Sequence, residues 1–320
     1  MINSSNSNYK TGDIVEVLQP SEILKTLDSN GQLDGLPFMP EMIPYCGKRF
    51  KVLFKVEKTC VTCLFPNDLV TAKMKEFIHN DVVFLEDIRC SGTAHGNCQR
   101  GCMIFWKSAW LKKVKDKNVE TYVNPEDVLK LNERLKTKNS EKQYFCQSTE
   151  LKTATNYVSS SKRVIKIFKE VGTGGLNILQ AIEALILPGW RKLNKNPQPH
   201  GSLKETPREY LNLEEGELVE VKTFDEILQT LNKQGSNKGL KFIADMKQYC
   251  GKQFKVRTKL ERMIREETGE MVEIKNTVIL DEATCSYSYR FAGCPRAEFH
   301  YWREIWLKRV NEKQNQTVEQ

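Results

Sequence analysis

Gly12-Asp13-Ile14-Val15-Glu16-Val17 recurs as Gly216-Glu217-Leu218-Val219-Glu220-Val221, and Tyr45-Cys46-Gly47-Lys48-Arg49-Phe50-Lys51-Val52 recurs as Tyr249-Cys250-Gly251-Lys252-Gln253-Phe254-Lys255-Val256. At a constant offset of 204, 21 of the 41 residues from 12 to 52 are identical to their partners, so the chain carries an internal duplication. The module ends match at an offset of 196, with Trp106, Trp110, Leu111 and Val114 paired with Trp302, Trp306, Leu307 and Val310, and Cys98 with Cys294. The shrinkage of the offset falls in the middle of the module, where loops vary most.

Inside the first copy the strand signals are short and alternating: Ile14–Val17, Phe50–Val56, Val82–Leu85, Ile104–Lys107 and Trp110–Val114. Ser21 to Leu27 places Ile23, Leu24 and Leu27 at helical spacing. This pattern predicts a mainly β chain with an α-helical connector (α+β), built from two small SH3-like barrel modules. A split barrel of another topology is the alternative, because periodicity does not fix strand order. The tryptophans recur at i and i+4, which puts both on one face of a closing strand. They read as core, with a peptide-binding aromatic groove as the alternative.

The division that follows is a leader at 1–11 expected to be disordered, module 1 at 12–114, a helical connector at 115–193, a linker at 194–215 rich in Pro, module 2 at 216–310, and a tail at 311–320. Helices are expected over Pro125–Leu135, Val164–Val171 and Leu176–Leu187. The last is so apolar that it reads as a buried helix between the modules. Its second reading is peripheral membrane contact over 176–192, with Trp190, Arg191, Lys192 and Lys195 at headgroup level.

Residues 1–111 carry 12 basic and 12 acidic side chains and residues 211–320 carry 18 of each, whereas residues 112–210 carry 19 and 11. The whole net charge of +8 therefore sits in the middle, which is where an anionic partner is expected. No apolar run is long enough for a transmembrane span. The polar start Met1 to Asn8 lacks a signal-peptide core, so a cytoplasmic location is expected. Ten cysteines in such a chain point to reduced thiols and metal ligands.

Cys90-Ser-Gly-Thr-Ala-His95-Gly-Asn-Cys98-Gln-Arg-Gly-Cys102 holds three thiols and an imidazole among glycines that let backbone fold tightly around an ion. Thiolates serve zinc and iron–sulfur clusters alike. Cys60 supplies a fourth ligand from across a hairpin, and Cys63 could replace it. Cys46, whose twin is Cys250, reads as a small buried hydrophobe. The second module lacks the set: residues 257–264 contain no thiol, and Glu298 stands in the place of Cys102.

Lys58-Thr59-Cys60, the Cys90–Cys102 string with Phe105-Trp106-Lys107, Cys294-Pro295-Arg296 and Tyr301-Trp302-Arg303-Glu304-Ile305-Trp306-Leu307 resemble a bacterial family of uncharacterised (hypothetical) proteins. That family has two related modules and a CxGxxHxxCxxxC-type segment. The resemblance spans most of the chain and implies no activity. It implies Cys60, Cys90, Cys98 and Cys102 as ligands ahead of Cys63, and draws notice to Cys146. The chain departs from it in module 2, where Cys285 and Cys294 are one residue further apart than the family spacing.

The sequence thus sets one metal site at Cys60, Cys90, Cys98 and Cys102, with His95, Cys63 and Cys146 as alternates. Zinc is the first expectation and a [4Fe-4S] cluster the alternative. No nucleophile–base pair, phosphate loop or dinucleotide fingerprint is visible. The function expected first is a non-enzymatic, metal-stabilised scaffold or adaptor with a protein partner. The alternatives are an iron–sulfur protein with an enzymatic or electron-transfer role, and a nucleic-acid-binding tandem barrel.

Overall fold

The computed structural model describes residues 9–60, 74–115, 121–182, 185–186, 198–285 and 295–310. Leader residues 1–8, the tail 311–320, Cys63, Cys294, and the Trp190, Arg191, Lys192 and Lys195 group lie outside the described residues.

The chain is α+β, with strand predominating. Ile14–Val17 puts Val15 and Val17 on the core face, both fully buried. Glu16, on the opposite face, is held by Arg49 at 2.8 Å and Lys112 at 2.7 Å. This strand lies between Arg49–Lys55 and the edge strand Leu111–Lys113 in a five-stranded antiparallel sheet ordered Trp106–Lys107, Val82–Leu85, Arg49–Lys55, Ile14–Val17, Leu111–Lys113. The second copy gives Phe299–Arg303, Thr277–Thr284, Gln253–Lys259, Leu218–Val221, Leu307–Arg309. Equivalent strands take equivalent places, and the register repeats: Val15 faces Phe50 and Val17 faces Leu111, as Val219 faces Phe254 and Val221 faces Leu307.

All four tryptophans of the repeat are fully buried, which removes the aromatic-groove reading. Trp110 and Trp306 end short 3-10 turns, Ser108–Trp110 and Glu304–Trp306, rather than lying in strands. Their indole N–H groups donate to Thr26 Oγ1 at 3.1 Å and Thr230 Oγ1 at 3.0 Å, the same bond made twice. Phe38 and Phe242 stack edge-on against them.

The connector wraps module 1. Asn124 caps the helix Pro125–Arg134 by accepting from Glu126 N. A helix at Gln147–Ala154, not expected from the sequence, packs on the same module. Strand Thr155–Tyr157 then joins Met74–Phe77 and Thr59–Cys60 in a three-stranded sheet. The helix Ser160–Thr173 stops at Gly174, which takes the left-handed conformation (φ 79°) that favours glycine. Helical turns at 178–182 and 185–186 follow, started by reciprocal bonds between Asn177 and Gln180. The expectation that 176–187 is buried is overturned: Ile178, Leu179, Ile182 and Ile186 are exposed, and Ala181 alone of the described positions in these turns is buried.

Two edges of the sequence-based division also move. Tyr9 is buried and its hydroxyl donates to Leu111 O at 3.0 Å, so residues 9–11 belong to the folded body rather than to a leader. At the other junction, Glu304 accepts from the backbone N–H groups of Leu211, Asn212 and Leu213, which ties the end of the linker to module 2.

The modules meet around a local two-fold relation. Arg100 Nη1 donates to Ile264 O at 3.3 Å, and Arg296 Nη1 donates to Cys60 O at 3.0 Å. Arg100 and Arg296 are equivalent at the 196 offset, and Cys60 and Ile264 at the 204 offset. Both guanidiniums are buried with two carboxylates. Arg100 Nη2 reaches Glu298 at 2.8 Å and Glu266 at 3.4 Å, and Arg296 Nη2 reaches Glu266 at 2.9 Å and Glu298 at 2.6 Å.

Burial alone pushes the Glu298 carboxyl up, but Arg100 and Arg296 hold it down at about 2. Its unperturbed value is 4.5, so its contribution to stability is present above that pH and is lost as pH falls toward 2. The contribution is on the order of 3 kcal/mol. Urea midpoints should therefore fall between about pH 5 and about pH 3, with a shallower fall for Glu298→Gln.

Candidate metal centre

The 90–102 segment is a loop closed at its base. Arg89 and Met103 form an antiparallel bridge, and Cys90 N donates to Cys102 O at 2.8 Å. Gly92, at φ 69°, brings the chain back on itself: its carbonyl accepts from His95 N at 3.0 Å and Cys98 N at 3.3 Å. Cys90, Cys98 and Cys102 thereby face one cavity of about 30 Å³. Its fourth thiol is Cys146, at the N-cap of the helix Gln147–Ala154. Met39, Met103, Phe105 and Ile264 complete the apolar wall.

His95 does not point a nitrogen into this cavity. Nδ1 is 2.7 Å from Glu41 Oε1 and Nε2 is 2.9 Å from Phe145 O. With both nitrogens engaged, His95 is a clamp that ties the loop to the residue before Cys146. Burial alone raises the Glu41 carboxyl, but the bond from His95 brings it below its ordinary value. Gln147 fixes the same helix, accepting from Phe105 N at 2.8 Å and donating to Pro37 O at 3.0 Å and Phe105 O at 2.8 Å.

Each thiol has a donor near its sulfur. Ile264 N lies 3.4 Å from Cys98 Sγ, and Ser148 Oγ lies 3.5 Å from Cys102 Sγ. The backbone at Gly92 opposes the burial that raises the Cys90 thiol, and the backbone at Thr149 and Ser148 does so for Cys146. Burial still prevails, lifting Cys90 well above its usual value, Cys102 to about 12 and Cys146 to about 11. Without a bound cation these groups are neutral thiols; a metal that binds them must displace their protons. Arg100 and Arg296 oppose the rise at Cys102, which places positive charge behind that sulfur.

The second module closes the site. Gln99 N donates to Arg262 O at 3.1 Å, and Gln99 Oε1 accepts from Glu261 N and Arg262 N at 2.7 and 3.0 Å. The strand Arg262–Ile264 thus lies along the tip of the loop and brings Ile264 over Cys98.

Cys60 is not brought to this cavity. It packs with Met74, Val158 and Cys285 in a separate small cluster, and its carbonyl accepts from Arg296 Nη1 at 3.0 Å. Cys146, expected as an alternate, lines the cavity where Cys60 was expected first, and the alternate Cys63 lies outside the described residues. Cys46 is in the core, its thiol pushed up to about 12 by burial, in keeping with a structural role. Among the described residues, no three His, Cys, Asp or Glu side chains stand close enough to share a single ion. Compared with known protein families, curated proteins and solved structures, the chain matches none.

Proposed function

We propose that the chain is an iron–sulfur protein, with Cys90, Cys98, Cys102 and Cys146 holding a [4Fe-4S] cluster between two SH3-like modules. The observation that carries this reading is the convergence of four thiols from two distant segments on one cavity, each with a hydrogen-bond donor near its sulfur. Four thiolates would serve zinc or a cluster alike; the donors near the sulfurs and the buried cations behind Cys102 are the ground for placing the cluster first. Donors to sulfur and nearby cationic groups are the protein's means of setting a cluster's potential.

Four thiolates occupy all four irons of such a cluster, so no open position remains for a substrate. The role this supports is structural or one-electron transfer. The site would tie module 1, the connector helix and the capping strand of module 2 into one unit, in keeping with a scaffold. The repeated sheet order, with a 3-10 turn before the last strand of each copy, supports the SH3-like assignment.

Anaerobic purification with iron, acid-labile sulfide and zinc analysis tests the reading. Brown protein with about four irons per chain is expected. Cys90→Ser, Cys98→Ser, Cys102→Ser and Cys146→Ser should each lose it, while Cys60→Ser retains it. One zinc per chain in colourless protein would sink the cluster. Loss of metal in Cys60→Ser but not in Cys146→Ser would sink the ligand set.

A further inference from the structure

The helix Ser160–Thr173 buries two ionic side chains beside Ile167 and leaves large apolar residues outside. Lys166 and Glu170 are only 3% and 6% exposed, whereas Ile165 and Phe168 are 55% and 61% exposed. The inward face is committed to ion pairs with module 1: Lys166 Nζ lies 2.7 Å from Glu76 and 3.5 Å from Glu57, and Glu170 pairs with Lys58. These pairs fix the rotation of the helix, so its apolar side is held outward rather than left there by loose packing. The turns at 178–182 and 185–186 extend the same character, with Ile178 and Leu179 at 68% and 77% exposure. Several large apolar side chains exposed on successive helical turns mark an interaction surface.

We propose that this helical pair is a docking surface for an anionic lipid bilayer. Leaving aside the buried, paired Lys166 and Glu170, residues 160–195 carry six basic residues in sequence (Lys162, Arg163, Lys169, Arg191, Lys192 and Lys195, the last three outside the described residues) against one acidic residue, Glu183; Lys162 and Lys169 are exposed on the helix. Exposed apolar residues flanked by cations are what an interfacial, non-spanning helix requires. No described helix is long and apolar enough to cross a membrane, so the contact is peripheral. A second copy of this chain fits poorly as the occupant. A two-fold contact across this face would set the same excess of cations against itself, whereas acidic headgroups neutralise it.

Flotation of the full-length chain with vesicles tests the proposal. Binding is expected to vesicles of phosphatidylcholine with about one third phosphatidylserine, and not to phosphatidylcholine alone, and should weaken with salt. Phe168→Glu combined with Leu179→Glu should lower the bound fraction about tenfold or more. Leu129→Glu, an equally exposed apolar position on the helix Pro125–Arg134, should leave binding unchanged. Circular dichroism establishes that each variant is folded. Absence of binding to the anionic vesicles at low salt would overturn the proposal, as would binding that survives the double substitution. A dimer that this double variant dissolves, without vesicle binding by the parent, would assign the face to a second copy instead.

Discussion

Glu298→Ala is expected to destabilise the chain by about 3–5 kcal/mol. Glu298 accepts from Arg100 and is paired with Arg296, and all three side chains are almost completely buried. Removing it leaves Glu266 as the one carboxylate of the quartet for two guanidiniums, so an uncompensated positive charge stays between the modules. The cost comes from that orphaned charge more than from the lost pair. Hence the double variant Arg100→Met, Glu298→Leu should lose less stability than the sum of its two single changes, because Arg296 and Glu266 remain balanced. Urea unfolding of the four proteins forms the cycle. Additive losses would show that the quartet does not act as a unit.

Glu298 also shows how far the sequence could be read. Its alignment with Cys102 shows that module 2 lacks the thiol set. The sequence does not show that the replacement carboxylate turns to Arg100 and Arg296 and helps close the site of module 1. The main strands were legible because each is a short alternating or wholly apolar run, such as Ile14–Val17 or Val82–Leu85, that recurs in a second copy. Three of the four thiols lining the cavity, Cys90, Cys98 and Cys102, were legible from their spacing alone. Cys146 was visible only as an alternate, since the helix it caps buries Gln147, Ser148 and Thr149 and so lacks the apolar periodicity that marks a helix. His95 looked like a ligand because its partner Glu41 lies 54 residues away and Phe145 contributes only a carbonyl. Cys60 was expected at the site, but it packs in a separate cluster, since spacing does not say which way a strand-end thiol faces. The helix near 176–187 misled through hydrophobicity itself: apolar content predicts burial, but not whether the burying partner is this chain.

Gly92→Ala should open the thiol-lined cavity without changing any of the four cysteines proposed as ligands. Gly92 is at φ 69°, and a Cβ there would lie 2.0 Å from the carbonyl oxygen of Cys98 and 2.8 Å from its carbon. No rotamer relieves a clash between a Cβ and backbone, and the left-handed conformation costs an L-residue a further 1–2 kcal/mol or so. The chain must therefore swing Cys98 away from Cys90, breaking the bonds from Cys98 N and His95 N to Gly92 O. Iron content should fall to near that of Cys98→Ser. Cys98 should also become open to an alkylating reagent under native conditions, a readout that needs no metal. Gly172→Ala is the matched control. It lies within the helix Ser160–Thr173, has no neighbour within 4 Å of its Cβ position, and should leave metal content unchanged. By restricting the unfolded chain and favouring helix, it should raise stability by roughly 0.5–1 kcal/mol. If Gly92→Ala retained its iron and kept Cys98 protected, the turn at Gly92 could not be what holds the thiols on one cavity, and the His95 clamp, the Cys90–Cys102 closure and module 2 would have to hold them.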